Sequence, residues 1–282
     1  MIETFLLREL AERALAEDLI YGDRTTDSLF PDPIPAVASL IAKEDLVVAG
    51  LDIFQTVFRH LDPSFTFELR ATDGQSVKKD EMIFRVVGDG RLILKAERTA
   101  LNFIQRLSGI ATFTRQYVKA IEGTSARVVD TRKTTPLFRA LEKQAVALGG
   151  GGNHRFHLGD LILIKDNHIA LAGGIKNAVS QARSHRAHSL KIEVETNTLA
   201  EVAAALDADV DLIMLDNMDL EDMKTAVARI RGKSPSILIE ASGGMSLEGL
   251  RAVAECGVDL ISVGALTHSA RAVDMSLDIE KA

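Results

Sequence analysis

The sequence predicts an α/β fold, an incomplete (β/α) barrel with fewer than eight strands that follows an α+β module in the first hundred residues. From about residue 126 the chain repeats one unit, in which a short apolar run leads into a turn and a helical stretch. Strands that alternate with helices in this way pair in parallel, and they form either a barrel or a doubly wound sheet. The six clear runs are ARVVD (126–130), LILIK (161–165), KIEVE (191–195), DLIMLD (211–216), SILIEA (236–241) and DLISVG (259–264).

The residues at the ends of these runs favour the barrel. Five runs end at or just before a polar residue or a glycine, namely Lys165, Glu195, Asp216, Ser242 and Gly264. In a barrel all of these ends meet on one face, where enzymes of this architecture place their chemistry. A doubly wound nucleotide-binding fold would instead carry G-x-G-x-x-G after its first strand, and the sequence has no such motif.

The first hundred residues have a different pattern. Three stretches are strand-like, PAVASLIAKEDLVVAG (35–50), FTFELR (65–70) and MIFRVVGDG (82–90), whereas 51–61 and 92–107 have helical spacing. Turn signals such as Asp73-Gly74 separate them. This pattern predicts an α+β module, and we expect the barrel to begin near Ser108-Gly109.

Charge and hydropathy argue against two classes of partner. The formal net charge is −7, whereas general nucleic-acid binding requires a basic surface that displaces phosphate counterions. No run approaches the roughly 18 apolar residues of a membrane-spanning helix. The N-terminal stretch MIETFLLRELAERALAEDL has charges on every turn and reads as an amphipathic helix, so we expect a cytoplasmic protein that binds neither nucleic acid nor membrane.

Positive charge gathers in one segment. Between Arg127 and Lys165 there are seven Lys/Arg against three Asp/Glu, a local excess of +4, which indicates that this segment handles a small anion. DTRKTTP (130–136) puts Arg132 and Lys133 on a turn, where the arginine fork suits carboxylates and the lysine suits phosphate. GGGGNHR (149–155) adds a histidine and an arginine after glycines whose backbone N–H groups we expect to face the ligand.

Three further strand ends carry ionisable side chains. Lys165 suits an anion, a Schiff base or a structural ion pair with Asp166 or Glu195. Glu195 and Asp216 end consecutive runs and predict a Mg²⁺ site, because hard cations prefer carboxylate oxygens. Strand parity puts Glu193 on the same face as Glu195, so the residues alone do not separate the two, and we favour Glu195 because it is nearer the rim.

The last two strands end in glycine-containing turns. EASGGMS (240–246) and VGALTHS (263–269) follow them, and in barrels these positions often bind a phosphate group with backbone N–H groups and a helix N-terminus. Two such turns at successive strand ends therefore predict a phosphate site.

Taken together, these motifs resemble those of one known family. The matching stretches are EDLIYGDRTT, AERTALNFIQRLSGIAT, DTRKTTP, LEKQAV, GGG with NHR, LIKDNHI, KIEVE, LDN, SGG and VGALTHS. In order and spacing they closely resemble nicotinate-nucleotide pyrophosphorylases (carboxylating), also called quinolinate phosphoribosyltransferases, over nearly the whole chain. Such enzymes transfer the phosphoribosyl group of phosphoribosyl pyrophosphate to quinolinate with decarboxylation, giving nicotinate mononucleotide, CO₂ and pyrophosphate in de novo NAD biosynthesis.

The resemblance implies a domain plan and an assembly. It implies an N-terminal α/β sandwich domain over 1–108, a barrel over 109–269, and a C-terminal tail at about 270–282 that packs back on the first domain. It also implies a homodimer with shared active sites, or a hexamer built from such dimers, in which Arg98 of one subunit reaches the site of its neighbour.

The resemblance also implies a role for each matched residue. Quinolinate would be bound by Arg98, Thr131, Arg132, His154, Arg155 and Lys165. Phosphoribosyl pyrophosphate would be bound by Lys133, Glu195, Asp216, Ser242, Gly243, Gly244, Val263, Gly264, Ala265 and His268. Lys133, Lys165, Glu195 and Asp216 would be catalytic, and Glu195 and Asp216 would hold Mg²⁺, directly or through water.

Two positions depart from the pattern, and three other functions remain open. Pro136-Leu137 stands where Pro-Gly is usual, and His157 stands where a smaller or more polar residue is common. A related phosphoribosyltransferase linked to molybdenum transport shares many motifs, but it lacks the intact KDNH found here at 165–168. The other two alternatives are a Schiff-base aldolase that uses Lys165 and a barrel that only binds an anionic metabolite.

Overall fold

The computed structural model describes residues 2–282. Its first elements, in chain order, are α1 (Thr4–Leu19), α2 (Arg24–Leu29), β1 (Pro35–Ala42), β2 (Leu46–Val47), α3 (Leu51–Leu61), β3 (Thr66–Leu69), β4 (Ser76–Val77), β5 (Met82–Asp89) and α4 (Gly90–Ala120). The elements that follow are β6 (Arg127–Val129), α5 (Arg139–Leu148), β7 (Ile162–Ile164), α6 (Asp166–Ala172), α7 (Ile175–His185), β8 (Ile192–Thr196), α8 (Leu199–Asp207), β9 (Leu212–Asp216), α9 (Leu220–Lys233), β10 (Leu238–Ser242), α10 (Leu250–Glu255), β11 (Leu260–Ser262), α11 (Ala265–His268) and β12 (Met275–Lys281).

The chain divides into two compact units. The first unit consists of Met1–Arg115, Thr135–Gly150 and Ser269–Ala282, and the second consists of Gln116–Thr134 and Gly151–His268. Within residues 2–282 no helix has the length and apolar character needed to cross a membrane.

The first unit is built on an antiparallel sheet with the strand order β12-β1-β5-β3. Alternate residues of β1 are buried, as expected for a strand with one face against a core. The fully buried rings of Phe54 and Phe58 on α3 lie in this core, and Phe84 of β5 meets Phe54 edge-on with ring centroids 5.1 Å apart. The strand-like stretches and the two helical stretches predicted for the first hundred residues are therefore confirmed.

The expected domain boundary after residue 108 falls inside helix α4, which runs unbroken for 31 residues. Gly109 lies within this helix, where its missing side chain allows a close backbone approach within the first unit. A Cβ at this position would lie 2.0 Å from the carbonyl oxygen of Arg271. Residues 135–150, which include α5, also belong to the first unit, and β12 pairs antiparallel with β1.

The second unit is a parallel sheet of six strands in the order β6-β11-β10-β9-β8-β7. The predicted apolar runs supply all six strands, in chain order β6 to β11. Beyond β6, one isolated parallel bridge joins Val129 to Gly152. No pairing within residues 2–282 joins β6 to β7, so the sheet is an incomplete barrel, as predicted.

Short, capped loops follow the strands of this sheet. All five residues of β8 are buried, which is typical of a parallel strand covered on both sides. Thr198 and Glu201 form a capping box at the start of α8, and the Asp219 side chain caps α9 by accepting hydrogen bonds from two backbone N–H groups. Because the six strands pair in parallel, their carboxyl ends lie side by side at one edge of the sheet.

Candidate active site

A cavity of about 550 Å³ opens at the carboxyl ends of the strands in the second unit. It is lined by Thr131, Arg132, Lys133, His154, Arg155, Leu163, Lys165, Glu195, Met214, Asp216, Asn217, Glu240, Ser242, Gly243, Gly244 and Ser262. A second cavity of about 410 Å³, in the first unit, is lined by apolar side chains such as Leu10 and Phe103, by charged ones such as Arg13 and Glu17, and by none of the predicted site residues. The strand-end cavity is therefore the candidate active site.

Two arginines, Arg132 and Arg155, line this cavity close to each other. Burial lowers the pKa of Arg155, and the like charge of the neighbouring Arg132 lowers it further. Nη1 of Arg155 donates to the carbonyl oxygen of Leu161 at 2.9 Å, which fixes that side chain. Nε of Arg132 is buried and has no hydrogen-bond partner among residues 2–282. Two close guanidinium groups, one with an unused donor, form a site for a carboxylate.

Lys133 is held by its backbone rather than by its side chain. Its N–H donates to Oγ1 of Thr131 at 3.0 Å, and its carbonyl oxygen accepts from Oγ1 of Thr267 at 2.7 Å. A Cβ on Gly264 would lie 2.9 Å from Cδ of Lys133, so the glycine leaves room for the lysine stem. The turn after β6 is thereby tied to the turn after β11.

Lys165 forms an ion pair with Glu195, the neighbouring strand-end acid. Its Nζ lies 2.5 Å from Oε2 of Glu195, and the two residues follow or end the paired strands β7 and β8. The backbone N–H of Lys165 donates to Nδ1 of His168 at 3.0 Å, so the histidine of the KDNH motif fixes the lysine backbone. Of the three interpretations of Lys165 from sequence, the structural ion pair is present.

His154 lies against two buried glutamates. Its Nε2 is 3.3 Å from Oε2 of Glu193 and 3.3 Å from Oε2 of Glu240. These are ion-pair contacts, since none of the four carboxylate oxygens has a well-aligned hydrogen-bond partner among residues 2–282. Burial by itself would lower the pKa of His154, but the close negative groups of Glu193 and Glu240 outweigh burial and raise that pKa to about 10. Burial also raises the pKa of Glu193.

The two acids of KIEVE, which sequence alone did not separate, have different neighbours. Glu193 contacts His154, while Glu195 is nearer the strand end and contacts Lys165. Glu195 lines the cavity together with Asp216, and their oxygens are of the type that Mg²⁺ prefers. The ligand atoms of His154, Glu193 and Glu240 lie within 4.8 Å of one another and offer a second group of donors. A protonated His154 has no free ring nitrogen for a metal ion, and its positive charge already balances the carboxylates of that second group.

The predicted residues fall into three sets. The cavity is lined by Thr131, Arg132, Lys133, His154, Arg155, Lys165, Glu195, Asp216, Ser242, Gly243 and Gly244. Val263, Gly264, Ala265 and His268 follow β11 and do not line it, although Gly264 contacts Lys133. Arg98 lies on α4 in the first unit, where its side chain is exposed.

The +4 segment is only partly gathered at the cavity. Arg127, Arg139 and Lys143 do not line it, and the last two belong to α5 of the first unit. Lys143 is fully buried. The net charge of residues 127–165 therefore overstates the positive charge at the cavity, because it includes residues of α5, which belongs to the first unit.

The expectation that the glycine run captures an anion through its backbone is wrong for three of its four glycines. The N–H groups of Gly149 and Gly150 close the end of α5 on Ala145 and Ala147. The N–H of Gly152 donates to the carbonyl oxygen of Val128 at 2.8 Å, as part of the bridge beside β6. These donors are used within the chain, so only the His154-Arg155 pair after the run reaches the cavity.

The two departures from the expected motifs leave the cavity lining intact. Leu137 takes a φ of 67°, in the left-handed region that favours glycine, and 75% of its surface is exposed. The turn that contains His157 is closed by Asp160, whose carboxylate accepts from the backbone N–H groups of Phe156 and His157.

Sequence reasoning missed Glu240 and Asn217. Glu240 lies two residues before Ser242 on β10, so strand parity aims it to the same side, as Glu193 is aimed with Glu195. The usable signal was an acid inside an otherwise apolar run. Asn217 follows Asp216 and has a φ of 53°, a backbone conformation that a single sequence does not predict.

Comparison with known families shows a match over both units. The model described as "Quinolinate phosphoribosyl transferase, N-terminal domain" matches residues 23–108, and the corresponding C-terminal domain model matches residues 110–278. A Synechocystis protein called "Probable nicotinate-nucleotide pyrophosphorylase [carboxylating]" is 46% identical over 94% of this chain and 90% of its own. The Mycobacterium leprae nicotinate-nucleotide pyrophosphorylase [carboxylating] is 42% identical over 96% of each chain.

Solved structures match equally well. The nicotinate-nucleotide pyrophosphorylase from Francisella tularensis has a TM-score of 0.94 and 40% identity, and the match covers 99% of this chain and 98% of that chain. The likeness therefore extends over the fold as a whole and over the sequence that builds the cavity.

Proposed function

The chain belongs to the quinolinate phosphoribosyltransferase family, and from that premise we propose how the side chains of its strand-end cavity divide the work of the reaction. The chain is a decarboxylating quinolinate phosphoribosyltransferase, which joins quinolinate to phosphoribosyl pyrophosphate and releases pyrophosphate and CO₂. The observation that carries our assignment of residues is the grouping of Arg132, Arg155, Lys165 and the carboxylates Glu195 and Asp216 around one cavity.

Quinolinate binds on the arginine side of the cavity. Arg132 and Arg155 receive its two carboxylates, since paired guanidinium groups match carboxylate geometry and Nε of Arg132 has a free donor. His154, Thr131 and Lys165 complete this half. The glutamates behind His154 keep that side chain positively charged, which favours a dianionic ligand.

Phosphoribosyl pyrophosphate binds on the opposite side. Lys133 meets its pyrophosphate, Glu195 and Asp216 lie beside the ribose, and the 5′-phosphate is bound by the turns Ser242-Gly243-Gly244 and Val263-Gly264-Ala265 with His268. The carboxylates of Glu195 and Asp216 suit Mg²⁺, which when bound would neutralise charge on the departing pyrophosphate.

The chemistry follows from this arrangement. The bond between ribose C1 and the pyrophosphate oxygen loosens while Lys133 stabilises the leaving group. The ring nitrogen of quinolinate attacks C1 and becomes positively charged. The bond from C2 to its carboxylate then breaks, the electron pair stays on C2 beside the charged nitrogen, and C2 takes up a proton. The cations of the cavity hold two like-charged reactants together until C1 has been attacked.

The residues of the cavity do not determine the oligomeric state or the cellular location of the protein. We propose a homodimer in which the exposed Arg98 of one copy completes the quinolinate half of the other, and a hexamer would be built from such dimers. Cytoplasmic location also remains a prediction, made from the charged first helix.

The remaining alternatives are less well supported. A Schiff-base aldolase needs a lysine that is free to attack a carbonyl carbon, whereas Nζ of Lys165 is paired with Glu195 at 2.5 Å. The molybdenum-linked group lacks the KDNH motif, whose His168 fixes the Lys165 backbone here. An assay with quinolinate, phosphoribosyl pyrophosphate and Mg²⁺ tests the proposal, because an aldolase or a passive binding protein would form no nicotinate mononucleotide.

A further inference from the structure

Asn217 occupies an unusual position at the rim of the cavity. It follows Asp216 at the end of β9 and has a φ of 53°, a left-handed conformation that costs most side chains free energy and that asparagine tolerates better than most. Its backbone N–H donates to the carbonyl oxygen of Ser242 at 3.1 Å, so it joins the ends of β9 and β10. The backbone is held in this conformation by a contact between the two strand ends.

The side chain of Asn217 uses both of its polar atoms at the cavity. Nδ2 donates to Oδ2 of Asp216 at 2.6 Å, a short bond to a charged acceptor. Oδ1 fills the space beside Gly243, where a Cβ would lie only 2.1 Å away. Gly243 itself has a φ of 93°, so its turn admits no side chain.

We propose that Asn217 is a positioning residue for phosphoribosyl pyrophosphate, which orients the Asp216 carboxylate and sets the Gly243 turn at the same time. This inference rests on the proposed function, in which Asp216 lies beside the ribose and its metal while Gly243 binds the 5′-phosphate. One side chain thereby fixes the distance between the two ends of a single substrate. Quinolinate, bound by the arginines, makes no use of this link.

Two substitutions separate the side chain from the backbone. Asn217→Gly keeps the left-handed backbone without strain and removes both side-chain contacts. Asn217→Asp keeps the size but places a carboxylate against the Asp216 carboxylate in place of the Nδ2 donor. The matched control is Asn197→Gly, because Asn197 follows the end of the neighbouring strand β8, is also exposed and does not line the cavity.

The test measures binding of each substrate by calorimetry, alongside KM and kcat. We expect Asn217→Gly to weaken phosphoribosyl pyrophosphate binding by roughly tenfold, as for loss of a hydrogen bond to a charged group. Asn217→Asp should weaken it more, and quinolinate affinity should stay within twofold of wild type for both. Asn197→Gly should leave both affinities unchanged.

Two results would overturn the inference. One is wild-type affinity for phosphoribosyl pyrophosphate in Asn217→Gly, and the other is an equal loss of both affinities, which would indicate a general disturbance of the cavity. Failure of the proposed function is a separate result, since the wild-type protein itself would then form no nicotinate mononucleotide.

Discussion

Nζ of Lys165 lies 2.5 Å from Oε2 of Glu195, and this ion pair joins the two halves of the strand-end cavity. Lys165 belongs to the quinolinate half in our proposal, and Glu195 belongs to the phosphoribosyl half. A quinolinate carboxylate must therefore compete with Glu195 for the lysine. The lysine side chain is 46% exposed, so solvent screening limits the free energy of this pair to about 1 kcal/mol.

Glu195→Gln tests that competition. Without the carboxylate, Lys165 is free for quinolinate, so quinolinate should bind about fivefold more tightly, in line with an exposed ion pair. Phosphoribosyl pyrophosphate binding and turnover should fall, because Glu195 serves that substrate. Calorimetric titration with each substrate separately measures both effects. Weaker quinolinate binding in this variant would contradict the competition.

Arg132→Ala and Arg155→Ala test the quinolinate half. Each should lower kcat/KM for quinolinate by about a hundredfold, as for removal of one donor from a closed site, with an unchanged circular dichroism spectrum. Arg127→Ala is the matched control, because Arg127 belongs to the same basic segment but does not line the cavity. Near-normal kinetics in either test variant would rule out the assigned role.

His154 gives a prediction about pH. Its pKa is raised from 6.5 to about 10, so the protonated form stabilises the folded state. That contribution is fully present below pH 6.5 and is lost as pH rises through about 10. The stability advantage of wild type over His154→Gln should therefore shrink between pH 8 and pH 10, as followed by thermal unfolding at each pH.

One contact opposes this prediction, since the backbone N–H of Arg155 donates to Nδ1 of His154 at 2.7 Å. An imidazolium ring has no acceptor nitrogen and must give up that bond, which leaves a part-buried N–H unpaired at a cost of about 1–3 kcal/mol, or about one to two pKa units. The raised pKa survives this cost. A ¹⁵N-detected titration of His154 near pH 6.5 would show instead that the backbone bond prevails.

Leu137→Gly should stabilise the protein. Leu137 has a φ of 67° and is 75% exposed, so the substitution relieves backbone strain and gives up little buried surface. The expected gain in the free energy of unfolding is about 1 kcal/mol, which thermal or denaturant unfolding can resolve. A lower melting temperature would mean that the leucine side chain contributes packing that outweighs the strain.

Arg98 gives a prediction about assembly. If one copy supplies Arg98 to the site of another, inactive Arg98→Ala and inactive Arg132→Ala subunits should form one complete site per mixed dimer. Mixing them under conditions of subunit exchange should restore part of the activity. If activity stays absent although mixed dimers form, Arg98 acts within its own chain.

Much of the fold was predictable because apolar runs and turn residues report local structure directly. The six barrel strands follow this rule, since each run is mainly apolar and ends at or just before a polar residue or a glycine. The predicted boundary after residue 108 matches the division between the two family domains, but the close approach of Gly109 to the Arg271 backbone was not predictable. Sequence distance hides such contacts.

Some residues of the candidate site could likewise be predicted from the sequence, and others could not. Side chains at strand ends, such as Lys165 and Asp216, could be identified because parallel strands bring their carboxyl ends together. The glycine run was misjudged because its N–H groups are used by the helix end and the bridge beside β6, which composition does not reveal. Glu240 was missed because its role depends on two partners, His154 and Glu193, that lie far from it in the sequence.

Decarboxylation coupled to phosphoribosyl transfer can be measured by following the carbon atom that leaves quinolinate. Purified protein is supplied with quinolinate labelled at the 2-carboxylate, phosphoribosyl pyrophosphate and Mg²⁺. We predict that labelled CO₂ and nicotinate mononucleotide form in equal amounts, and only when phosphoribosyl pyrophosphate is present. Label released without nucleotide, or no product from either substrate, would contradict the account.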